Sequence, residues 1–103
     1  MDYHQSIAAT CEQTAAALSH TLSAHGYRLE RSFDLRNTRH AAALQRDQYL
    51  VLLAYERAAS TPPLVIALHE YAGITHLQIA GHPLAADFMA ALEEMSGDLL
   101  AAA

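Results

Sequence analysis

Between Asp47 and Gly81 the chain carries three apolar runs of strand length, separated by Pro62-Pro63 and by Ala72-Gly73. The proline pair cannot donate ladder hydrogen bonds, and a glycine supplies the positive φ that a two-residue hairpin turn requires. Most of the β-branched residues lie inside this stretch, and amphipathic helical patterns flank it on both sides. A chain organised this way is constrained to wrap helices around a small sheet.

The first run, Tyr49–Glu56, is apolar on both of its alternating faces: Tyr49, Val51, Leu53 and Tyr55 against Leu50, Leu52 and Ala54. Such a strand is central, or covered on both sides. The other two, Leu64–Tyr71 and Ile74–Ala80, read as arms of a hairpin closed by Ala72-Gly73. That turn sets Tyr71 opposite Ile74, His69 opposite His76 and Leu68 opposite Leu77. Leu64, Ile66, Leu68, Leu77 and Ile79 then share a core face.

Upstream, Ile7, Cys11, Ala15, Leu18 and Leu22 recur at helical steps and predict a helix over residues 5–25, with Gly26 as its left-handed cap. Tyr27–Leu35 alternates, with Tyr27, Leu29, Phe33 and Leu35 on one side. Arg31 breaks that side, so it either snorkels outward or marks a bulge. Residues 36–46 are polar, with one or two helical turns expected around their AAAL core. Downstream, Pro83 suits the first turn of a second helix with the stripe Leu84, Phe88, Leu92, Met95 and Leu99, ended by Gly97. The sum is one α+β domain over 1–103, of order α-β-β-β-β-α. Its sheet is expected to be four-stranded and mostly antiparallel, with both helices on one face.

The other sheet face would display Val65, Ala67, Tyr71, Ile74 and one row of the 49–56 strand. A monomer seldom leaves so large an apolar patch in water. A partner is expected there, most simply a second copy related by a two-fold axis.

Composition narrows the function classes. The net charge of -5 disfavours nucleic acid as a partner, because phosphates repel an acidic surface. No apolar run is long enough to cross a bilayer, and the N-terminus lacks the basic start and apolar core of a signal peptide. A cytoplasmic location is therefore expected. The single cysteine, Cys11, excludes an internal disulfide and a cysteine zinc cluster, and its place on the apolar stripe makes it a small core residue.

Two constellations could carry chemistry. His69 and His76, opposed across the hairpin, would bring two imidazoles within reach of one divalent metal, and a two-fold axis through that face would bring four, a set suited to Zn, Ni or Cu. The plainer alternative is two polar residues on a partly exposed face. Second, five of the six basic residues, all of them arginine, fall between Arg28 and Arg46, among only two carboxylates, Glu30 and Asp34. Arg36, Arg39, His40 and Arg46 there have the makings of a site for a small anion; a solvated connection with ordinary surface charge has the same composition. No glycine-rich phosphate loop, nucleophile elbow or zinc-protease motif is present, so catalysis has no anchor.

The strings HGYR (His25–Arg28), SFDL (Ser32–Leu35) and VLLAY (Val51–Tyr55) resemble those of an uncharacterised group of small bacterial α+β proteins. The resemblance covers roughly the first half of the chain and implies the fold. In that group the insert between the second and third strings is rich in Cys and His, implying a metal site. This chain keeps only His40 there, so the resemblance does not carry that site over.

The leading expectation is thus a homodimeric binding or interaction module that takes a small anion at the Arg-rich segment and holds no obligatory cofactor. A transition-metal protein using His69 and His76 is the second. An enzyme acting on a small anionic substrate through Arg36, Arg39 and His40 is the third.

Overall fold

A computed structural model describes residues 3–36, 46–57, 62–80 and 86–102. The element order is β1 (Tyr3–Ile7), α1 (Cys11–Ala24), β2 (Tyr27–Arg36), β3 (Arg46–Glu56), β4 (Leu64–Tyr71), β5 (Ile74–Ala80) and α2 (Ala86–Ala102). The strands form one sheet in the order β1-β5-β4-β3-β2, antiparallel throughout. The α+β class holds. The four-strand count and the α-β-β-β-β-α order do not, because residues expected to begin the first helix form a fifth strand on the edge of β5.

That correction has a local cause. Thr10 caps α1: its hydroxyl accepts from the Gln13 amide at 3.1 Å, and the Gln13 side chain accepts from the Thr10 amide at 2.9 Å. This reciprocal box satisfies two helix-end N–H groups and starts the helix at Cys11. Ile7, placed by its spacing on the helical stripe, instead ends β1 and is buried. Glu70 of β4 adds a third cap, accepting from the Cys11 amide at 2.8 Å. Its carboxylate also sits where the helix dipole favours negative charge.

One face of the sheet supplies the core. Leu50, Leu68 and Leu77 lie in one cross-strand row and Leu52, Ile66 and Ile79 in the next, all nearly inaccessible to water. Each such side chain contributes about 1.5–3 kcal/mol on burial. They join Cys11, Leu18 and Leu22 of α1 and Phe88, Ala91, Leu92 and Met95 of α2 in a single cluster. Tyr27 and Phe88 meet edge to face with ring centres 5.0 Å apart. The helix α2 runs on through Gly97, which does not end it.

The β4–β5 turn has positive φ at both Ala72 (53°) and Gly73 (80°), the signature of a type I′ turn. Its register sets Tyr71 against Ile74, His69 against His76 and Leu68 against Leu77, as the spacing predicts. The left-handed Gly26 (φ 89°) follows α1, again as expected.

In β2 the bulge alternative holds. Arg31 pairs with Leu52 but Phe33 pairs with Val51, so Ser32 is an extra residue. The pleat inverts there. Tyr27, Leu29 and Arg31 stay on the core face, while Phe33 and Leu35 cross to the outer one. The expectation that all four apolar residues share a side is thereby corrected.

Candidate functional site

The outer face is built in rows by strand register. Leu35, Tyr49, His69, His76 and Ser6 form one row across all five strands. Phe33, Val51, Ala67, Gln78 and His4 form the next. Tyr71 and Ile74 extend the face at the hairpin end, and Leu53 with Val65 at the other. Among the described residues five large apolar side chains are strongly exposed: Phe33 (49%), Leu35 (52%), Val65 (46%), Tyr71 (44%) and Ile74 (44%). All five stand on this face. The bulge at Ser32 contributes two of them, which alternation alone assigned to the core.

Arg46 of β3 stands in register with Tyr71 of this face. Among the described side chains the face holds one guanidinium, Arg28, and one carboxylate, Glu30, bonded to each other. Arg28 also lies over the Tyr55 ring, 4.6 Å from its centre, a cation–π contact that further occupies it.

Aromatic contacts order the middle of the face. Phe33 meets Tyr49 edge-on with centroids 5.8 Å apart, and Tyr49 lies against the His69 ring at 4.2 Å with a 30° tilt. Across the hairpin, His76 is held from its far side: the Ser6 hydroxyl lies 3.1 Å from its Nδ1. His4, Ser6 and His76 also edge a shallow hollow of about 170 Å³ between β1 and β5. The structure therefore brings His69 and His76 into the predicted pair and adds Ser6, which nothing in the sequence spacing could place there. Among the described residues no three His, Cys, Asp or Glu side chains stand close enough together to hold a metal.

A second polar assembly lies on the core side, at the open ends of β2 and β3. Arg31 grips Glu12 of α1 through two bonds of 2.6 and 3.1 Å and reaches Asp34 at 3.2 Å. The buried Gln48 uses its single amide nitrogen to donate to both Glu12 and Asp34, each at 2.9 Å. Beside it an open groove of about 210 Å³ runs between α1 and β2, floored by Ala15, Ala16, Leu29 and Leu52.

The arginines divide accordingly. Arg28 and Arg31 are bonded to the chain's own carboxylates. Arg36 closes β2 opposite Gln48, and Arg46 opens β3 opposite Tyr71. Arg39 and His40 lie outside the described residues, as do Pro83, Leu84 and nearly all of the segment expected to form helical turns between Arg36 and Arg46.

Cys11 is fully buried beneath this assembly, its thiol directed at the carbonyls of Leu68 (3.6 Å) and Gln48 (3.8 Å). Burial pushes its pKa up to about 11 from 9.0, and the nearby Glu70 and Glu12 charges add to the rise. This is the environment of an inert core thiol.

No helix in the described structure is long and apolar enough to cross a membrane. Comparison of the chain with family models, with curated proteins and with solved structures finds no match.

Proposed function

We propose that this protein is an interaction module that works as a homodimer, with the outer sheet face as the contact between copies. One observation carries the proposal: every strongly exposed large apolar side chain among the described residues lies on that one face. Charge favours a second copy as the occupant. Among the described side chains of the face the charges are one mutually bonded pair, Arg28 and Glu30, so this part of the surface matches itself better than it matches a strongly acidic or basic partner.

Size points the same way. Strands about 4.8 Å apart and about 3.3 Å per residue give the sheet a face of at most roughly 24 by 23 Å, the edge strand β1 being shorter at five residues. That is about 550 Å² in projection, the same order as the ~800 Å² per partner that stable interfaces bury. Two such sheets pack face to face with their side chains interleaved, as in a sandwich.

The test is sedimentation velocity at micromolar concentration on wild-type protein and on Val65→Glu. Wild type should sediment at twice 11.2 kDa. The variant places an unpaired charge at an exposed position, so it should remain folded by circular dichroism and sediment as a monomer. A wild-type monomer throughout the micromolar range would end the proposal.

A further inference from the structure

From the cross-strand pair His69 and His76 we infer a divalent transition-metal site shared between two copies of the chain. The inference rests on the face-to-face dimer proposed above and adds what that dimer would hold.

The two histidines are direct partners in the β4–β5 ladder and both stand on the outer face. Directly opposed residues on antiparallel strands carry their Cβ atoms about 4.5–5.5 Å apart, a spacing from which two imidazoles converge on one ion. Their surroundings fix the rings. Tyr49 lies against His69 at 4.2 Å. The Ser6 hydroxyl engages Nδ1 of His76 at 3.1 Å, so the nitrogen that His76 would offer a metal is Nε2, on the opposite edge of the ring. A metal-binding imidazole is ordinarily oriented in this way, by a hydrogen bond to its other nitrogen.

One chain supplies two ligands, and no third candidate is near enough among the described residues. Two imidazoles are half of a tetrahedral set. A two-fold axis lying between the stacked sheets beside this row would supply the other half, because an isologous contact presents each residue twice. Sheets about 10 Å apart leave room for side chains from both sides to meet at the ~2.0–2.1 Å that zinc–nitrogen bonds require. Neutral imidazole suits Zn, Ni and Cu among the first-row ions.

The probe is Zn²⁺, titrated by calorimetry into chelator-treated wild type, His69→Ala, His76→Ala and Ser6→Ala, with sedimentation of each sample with and without the metal. One zinc per two chains is expected, with dimer dissociation weakened at least about 10-fold by its presence. Both histidine variants should lose zinc binding yet still dimerise without metal. Ser6→Ala, which removes only a positioning residue, should bind zinc about 10-fold or more weakly. A dimer that takes no zinc overturns the site and leaves the dimer standing. Zinc bound one per chain, or unaltered in both histidine variants, overturns the shared site. A chain that is monomeric with and without zinc overturns both proposals together.

Discussion

At the scale of single residues, the structure hides its one thiol and pairs Arg28 and Arg31 with its own carboxylates. Cys11 holds its proton more tightly in the folded chain than in the unfolded one. Its contribution to stability is therefore complete below about pH 9 and is lost as pH climbs toward about 11. A shift of that size corresponds to at most roughly 3 kcal/mol. Urea denaturation from pH 8 to pH 11 should show wild type losing more stability than Cys11→Ala. Tyr3, whose pKa burial also raises, is common to both proteins and cancels in the difference; parallel curves would refute the assignment. The burial of Cys11 was legible from its helical spacing. Its neighbours were not: the amide of Gln48 bridges Glu12 and Asp34, thirty-six and fourteen residues away, and no periodicity reports contacts that distant.

At the scale of elements, the hairpin was the most legible part of the chain, because a two-residue turn dictates the register of everything beyond it. It is also where the fold carries local strain. Ala72 occupies φ 53°, a left-handed conformation that costs an L-residue with a Cβ roughly 1–2 kcal/mol. Ala72→Gly should relieve the steric part, and Ala72→Asn should place a residue suited to the first position of a type I′ turn. Each should raise the stability measured by chemical denaturation by roughly 0.5–1 kcal/mol. A loss in both would mean that the turn has a different conformation. Two elements escaped the sequence for opposite reasons. The strand β1 is short and half polar, so its alternation competed with a helical stripe that Ile7 also satisfied. The bulge in β2 announced itself only as a conflict, Arg31 on an apolar row, and settling that conflict took the register of β3.

At the scale of the whole molecule, charge is distributed unevenly. The chain carries a net -5, while the outer face carries one self-neutralising pair among its described side chains. Two copies approaching through that face are held apart by the long-range field of the whole and drawn together only at contact. Screening acts on the first term and leaves the second. Raising salt from 50 to 500 mM should therefore tighten the dimer, by roughly 2- to 5-fold in dissociation constant. Weakening with salt, followed by analytical ultracentrifugation, would point instead to ion pairs across the contact. The two-sided apolar character of β3 made such a face visible in the sequence. Its full extent was not visible, since Phe33 and Leu35 join it only through the bulge.

The placement of β1 bears on how the chain reaches this structure. Its partner strand is β5, and the Ser6–His76 bond closes a separation of seventy residues. During synthesis β1 emerges before the other four strands and cannot pair until β5, the last of them in chain order, has been made. The β4–β5 hairpin can close on its own within microseconds, whereas β1 must wait and then pay the entropy of a long loop. Until it arrives, the edge of β5 is a row of unpaired amides and carbonyls bordering an apolar sheet, open to capture by another nascent chain.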